Sequence, residues 1–215
     1  MDNEIITRQS MPPAVPNVEQ TGKTNVNVTN QQGGTVNFNY NFYPGEAVDS
    51  AEKMIAIQRF SKEYYQLLVT NEDDVFSTNV VTVSADRALN QYLVPHEILE
   101  RCSSLSEEGI EELKTFPAIV CRENTSYNGE TDPNQVAMYC YVKRIKKFGK
   151  YIQVAFSPIA PLFQRLLCEK RNAIYFDLNM GCAITDLNHS AWSVHKVNLF
   201  EAFDIAGVPN IPRPY

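Results

Sequence analysis

Residues 135–156, QVAMYCYVKRIKKFGKYIQVAF, decide the fold. Their β-branched and aromatic content reads as two strands, 135–145 and 151–156, joined by a tight turn at Phe148-Gly149. Upstream, FPAIVCR at 116–122 reads as a third strand, set off by a long polar loop at 123–134. Downstream, the pattern predicts a helix at 160–169 and a further strand at 173–178. A run of strands interrupted by one helix points to the α+β class, with a small curved antiparallel sheet or partly open barrel.

Helices are predicted on either side of these strands. Asp49-x-x-Glu52 is a capping signature, and Met54, Ile57, Phe60, Tyr64 and Leu67 or Leu68 recur at three or four residue steps, so a helix is expected over 49–68. A short strand is read at 80–83, and Ser84 is placed as the cap of a helix through residue 93. Pro95 begins another short helix with His96 at its N-terminus, and Ser106, followed by Glu107 and Glu108, starts one through Lys114. A strand is expected at 192–197, with His195 on the opposite face from Trp192 and Val194. The last helix is capped by Asn198-x-x-Glu201 and stopped by Gly207. The globular α+β domain is therefore assigned to 47–208, and the Pro-rich tail to 209–215.

The N-terminal region has a different grammar. Residues 1–22, rich in Pro, Asn and Gln without periodicity, read as a flexible arm. Within 23–44, the stretch TNVNVTNQQGGTVNFNYNFY at 24–43 alternates strictly from Val36 to Phe42, and Val26 and Val28 keep the same parity, so Val26, Val28, Val36, Phe38, Tyr40 and Phe42 share one face against Asn and Thr. A two-residue turn at Gly33-Gly34 would oppose Val28 to Asn39, which the period of two forbids. A three-residue loop of Gln32, Gly33 and Gly34 instead sets Val28 against Phe38 and Val26 against Tyr40. The competing geometry is an arch that pairs with other chains above and below, and the absence of charge in the stretch suits it. A lone hairpin is marginal in water, so its aromatic face needs a cover from the same chain or from another copy.

This Asn-rich alternating segment with its central glycine pair resembles the short N-terminal assembly or amyloid-signalling motifs found beside globular domains in bacterial immunity proteins. FPAIVCREN at 116–124 and WSVHKVNLFEAF at 192–203 are similar to uncharacterised bacterial proteins carried on mobile elements. The resemblance implies a self-associating accessory or signalling component of an anti-phage defence system. The six apolar residues of the segment would form its oligomerisation seam, and another defence protein would be a possible partner. The reading from the residues alone keeps a hairpin packed on its own domain open.

Composition narrows the function classes. At 215 residues and 44% hydrophobic, the chain can build one sizeable core, or one domain with an appendage. A net charge of -6 argues against a dedicated duplex binder. No apolar run approaches the length of a bilayer span and residues 1–20 lack a signal-peptide pattern, so no membrane association and a cytoplasmic setting are expected. Against the acidic background, Lys143, Arg144, Lys146, Lys147 and Lys150 cluster around one turn, with Tyr141, Phe148 and Tyr151 interleaved. Cations for phosphates and rings for bases make a nucleic-acid or nucleotide sensor the alternative function, with Arg165, Lys170 and Arg171 as a possible extension. The competing reading is a solvated hairpin whose lysines protect a sheet edge.

Catalytic signals are sparse. The five cysteines, Cys102, Cys121, Cys140, Cys168 and Cys182, are widely spaced and read as buried thiols, without zinc or disulfide patterns. No phosphate-loop, dinucleotide-binding or nucleophile-elbow motif occurs. His189 and His195 fall near Cys182 and Asp186 without a regular ligand spacing, so an enzyme would require these four to converge on one cleft. Adjacent carboxylates such as Asp73 with Asp74 read as solvated charge, and Trp192, the single tryptophan, as a core anchor. The expectation is a non-enzymatic binding protein without cofactor or metal.

Overall fold

In the computed structural model, which describes residues 50–90, 92, 94–208 and 211–215, six strands form one mixed sheet curled into a half barrel. The chain divides into two units, Met1–Glu46 and Ala47–Tyr215, and all described residues fall in the second. The predicted hairpin seam of Val26, Val28, Val36, Phe38, Tyr40 and Phe42, and the Asp49 cap, lie outside the described residues.

The strands are β1 (Tyr65–Thr70), β2 (Val80–Ser84), β3 (Ala118–Arg122), β4 (Val136–Phe148), β5 (Tyr151–Phe163) and β6 (Ala191–His195), in the order β2-β5-β4-β3-β1-β6. All neighbours are antiparallel except β1 and β3, whose parallel pairing makes the sheet mixed. The helices are α1 (Ser50–Gln58), α2 (Val75–Thr78), α3 (His96–Cys102), α4 (Glu107–Leu113), α5 (Arg165–Cys168), α6 (Lys170–Ala173) and α7 (Leu199–Ile205). The α+β class read from the sequence is the class observed.

Alternation along the strands builds a core on each side of the sheet. Tyr65, Leu67, Ile119, Tyr139, Tyr141 and Ile159 face one core, which α1, α5 and α7 cover through Ile57, Leu167, Phe200 and Phe203. Leu68, Val120, Cys140, Val142, Val154 and Trp192 face the other, covered by α2, α3 and α4 through Val75, Ile98, Cys102 and Leu113. Gln66, fully buried on β1, serves this second core as a polar rivet. Its Nε2 donates to the Leu113 and Phe116 carbonyls, and its Oε1 accepts from the Trp192 indole at 3.0 Å. Trp192 is thus the anchor its sequence position suggests.

Caps at two helices follow the sequence. Ser106 accepts from the Gly109 amide, and Asn198 accepts from the Phe200 amide while its own amide group reaches Glu201. Gly207 ends α7 at φ +70°, a conformation that favours glycine. Beyond it, residues 211–215 take no regular structure. Ile211 is buried, the Pro212 carbonyl accepts from the Tyr139 hydroxyl, and Arg213 forms a fork on Asp204 at 2.8 and 2.7 Å.

Five local expectations need correction. The helix predicted over 49–68 stops at Gln58, because Ser61 Oγ accepts from the amides of Glu63 and Tyr64 and turns the chain into β1. The helix from Ser84 to residue 93 reduces to a 3-10 turn at Ala85–Arg87, and Ser84 makes no capping bond. Strand β5 runs on to Phe163, through the first four residues of the helix expected over 160–169, which shortens to α5. Pro158 and Pro161 are tolerated there because β2 pairs β5 only from Tyr151 to Ala155, leaving that later part an edge. The strand expected at 173–178 is instead the end of α6 and a 3-10 turn, Ile174–Phe176. Finally, four cysteines are buried but Cys182 is exposed.

Candidate functional site

Two places combine exposure with polar chemistry. The first is built at the end of β6, where alternation sends Trp192 and Val194 to one core and leaves Ser193 and His195 on the opposite face. Opposite His195 in the ladder stands Tyr65, whose ring stacks on the imidazole at 5.0 Å between centroids. The Tyr65 hydroxyl donates to the Phe176 carbonyl at 2.6 Å and so pins the 3-10 turn from below. The next residue, Asp177, takes the left-handed conformation at φ 54° and ψ 42°, which brings its carboxylate within 3.3 Å of His195 Nδ1. On the other ring nitrogen, Ser193 Oγ lies 2.9 Å from Nε2.

An ionised carboxylate can only accept, so Nδ1 presents its proton to Asp177, and Ser193 Oγ, which can donate or accept, completes the hydrogen bond at Nε2. The His195 hydrogen bond holds the Asp177 carboxyl below its usual range, against the smaller opposing effect of burial. Atom for atom, this is the connectivity of a hydrolytic serine triad. Its burial is reversed. The Ser193 residue is only 5% exposed, whereas the Asp177 side chain is 69% exposed. A nucleophile must be reachable by its substrate, and here the carboxylate is the exposed group while the hydroxyl is enclosed. The chain from Ser193 through His195 therefore orients Asp177 rather than activating Ser193.

Asp177 and His195 line a cleft of about 840 Å³. Asp186 also lines it and accepts from the Asn179 amide at 2.6 Å. Of the four residues whose convergence the sequence left open, the cleft joins His195 and Asp186, while Cys182 and the exposed His189 are not among its lining residues. Among the described residues no group of three His, Cys, Asp or Glu side chains could hold a metal ion.

The second place is the outer end of the β4–β5 hairpin. The turn at Gly149, φ +56°, sets the register Phe148↔Tyr151, Lys146↔Gln153 and Arg144↔Ala155, beyond which lies an irregularity near Lys143. Strand β2 continues the rows with Ser84↔Tyr151, Thr82↔Gln153 and Val80↔Ala155. By alternation these nine residues share one face, while Ile145, Ile152, Val154, Val81 and Val83 are buried on the other. The face is open: Arg144, Lys146 and Gln153 are exposed, and Phe148 and Tyr151 are 53% and 56% exposed. Between the strands lies a hollow of about 80 Å³ lined by Arg144, Lys146, Phe148 and Gln153 with Val80 and Ala155.

The five predicted cations are thus not one lobe. Lys143 is drawn to Glu52 of α1 at 3.4 Å, Lys147 stands opposite Ile152 on the other face, and Lys150 sits in the turn. Arg144 and Lys146 remain together, and neither makes an ion pair or side-chain hydrogen bond with another described residue. The suggested extension also fails. Arg165 follows the far end of β5, roughly 40 Å of strand from the turn, and lies over the Phe163 ring, while Arg171 pairs with Glu169 and Lys170 lines the Asp177 cleft.

Sequence reading missed Ser193, Asp177 and Gln153. The first was within reach, since Ser-x-His on an alternating strand puts both side chains on one face. Gln153 follows from the tight turn once the strands are paired residue by residue. Asp177 was hidden by the expectation of a strand across 173–178.

No protein-family model, curated protein or solved structure matches this chain.

Proposed function

We propose that this chain is a non-enzymatic binding protein whose globular unit takes single-stranded nucleic acid on the open face of β2, β5 and β4. One observation carries the reading: Arg144, Lys146, Gln153 and the exposed rings of Phe148 and Tyr151 share that face, with both cations unpaired among the described residues. Two adjacent cations meet successive phosphates, and the two rings offer surfaces on which unpaired bases stack at roughly 1–3 kcal/mol each. A duplex hides its base faces and would forgo the stacking. The net charge of -6 disfavours nucleic acid elsewhere on the molecule and confines contact to this face.

The test is fluorescence polarisation of a labelled 20-mer oligothymidylate across a salt series. Wild type is expected to bind with an affinity that falls as salt rises, and R144Q/K146Q to lower the slope of log K against log salt by about 1.4. F148A/Y151A should weaken binding tenfold or more at constant slope. Absence of binding by wild type, or variants indistinguishable from it, contradicts the reading.

A second reading rests on the strict alternation of Val36, Phe38, Tyr40 and Phe42 with asparagine. In it the chain self-associates through this seam and acts in the cytoplasm as an accessory or signalling component of an anti-phage system, alongside another defence protein. The two readings are compatible, since an array of copies would multiply weak platform contacts along one strand. Replacing Phe38 and Tyr40 by Asn in the full chain should lower the mass measured by light scattering. An unchanged mass removes this reading.

A further inference from the structure

The cleft above His195 is separate chemistry from the sheet platform, and its lining is unusual in what is spoken for. Of its two lysines, Lys196 is held by Glu97 at 2.8 Å and Glu63 at 3.7 Å, and lies 5.7 Å from the Tyr64 ring centroid. Lys170 on α6 is exposed and has no such partner among the described residues. Against it stand Asp177, whose hydrogen-bonded side-chain partner among the described residues is the buried His195, and Asp186. The charge left to face an occupant is therefore negative, two carboxylates against one lysine. Val94, Leu178 and Met180 supply apolar wall, and Ile174, 74% exposed, leaves more apolar surface uncovered. Its volume of about 840 Å³ lies within the range of small-molecule sites, which pair apolar walls with few fixed polar groups.

We infer that this cleft binds a small organic amine, its ammonium group on Asp177 with Asp186 nearby and its hydrocarbon body against Val94, Leu178 and Met180. Three features prepare Asp177 for that role. The His195 hydrogen bond fixes one carboxylate oxygen and leaves the other to accept. Ser193 and the stacked Tyr65 ring hold the imidazole in turn, so His195 is a positioning residue. The Tyr65 bond to the Phe176 carbonyl sets the backbone of the turn that presents the carboxylate. A recognition group held this way loses little freedom on binding. An anion would meet Lys170 and a Lys196 already paired with Glu97 and Glu63, and would lie against two carboxylates.

The test uses the full chain and n-hexylamine, with hexanoate and n-hexanol as matched probes, by ligand-detected NMR titration. Hexylamine is expected to bind in the millimolar range and hexanoate at least tenfold more weakly. D177N should weaken hexylamine tenfold or more, with the emission of buried Trp192 reporting that the fold is intact. K170Q, far from the core, should tighten hexylamine two- to threefold by removing the opposing charge. Hexanoate binding as tightly as hexylamine, no hexylamine binding at 20 mM, or K170Q weakening the amine would each overturn the inference. If D177N does not fold, the K170Q result and the probe ranking decide it.

Discussion

Beneath Asp177 at the β6 corner the buried polar groups are spoken for, whereas at the tip of the β4–β5 hairpin the exposed ones are not. Around His195 the imidazole, Ser193, Tyr65 and the Phe176 carbonyl satisfy one another, and Gln66 and Trp192 do the same beneath the other face of the sheet. At the tip Arg144, Lys146, Gln153, Phe148 and Tyr151 face outward without such partners among the described residues. Both regions hold the residue types that suggest a site when read as letters. What separates them is saturation. Groups that complete one another hold the fold in place, while groups held on a rigid sheet and left incomplete are available to a ligand.

That contrast can be broken from the saturated side first. Trp192→Ala removes the largest fully buried side chain together with the bond to Gln66, and should cost about 3–5 kcal/mol, read from urea unfolding followed by circular dichroism. A loss under about 1 kcal/mol would mean that the corner is not built as described. Tyr65→Phe is a smaller lesion. It strands the buried Phe176 carbonyl and should cost about 1–3 kcal/mol.

Acid sharpens the comparison next. Glu97 accepts from Lys196 and Tyr64, which hold its carboxyl down at about 2. Its folded-state value lies below the unfolded one, so this contribution is present above the ordinary carboxylate range and is lost as pH falls through about 4.5 towards 2. The urea midpoint should therefore fall between pH 6 and pH 3, and E97Q should fall less over the same interval. Equal pH dependence for the two proteins would deny the pair a role in the fold.

The smallest effect belongs to the boundary between the regions. Tyr141 precedes Arg144 on the same face of β4, and its hydroxyl is buried with no hydrogen-bond partner among the described residues. Tyr141→Phe should be neutral or stabilise by up to about 1 kcal/mol, since it removes an unmet polar group. Measurable destabilisation would show that the hydroxyl is engaged.

Much of this was legible in the residues, for physical reasons that differ by element. The hairpin was readable because a two-residue turn with glycine fixes register, and Ser106 and Asn198 were readable because a cap is a local device. The irregularity near Lys143 was not, since nothing in YVKRIKK marks where two residues oppose one. The 64–68 stretch misled because a strand buried on both faces is continuously apolar, and Tyr64, Leu67 and Leu68 then fit helical spacing as well as strand spacing. The candidate site was half visible. Its cations and rings were in plain view, but only the pairing shows that Arg144 and Lys146 stay together while Lys143 and Lys147 leave.

The most direct test of the central claim is the salt-dependent polarisation titration of oligothymidylate with wild type and R144Q/K146Q, run beside their urea unfolding curves. The account predicts equal stability within about 0.5 kcal/mol, because both cations are exposed, together with weaker binding and a shallower salt slope for the variant. Wild-type protein that ignores the oligonucleotide, or a variant that binds it equally well, would contradict it.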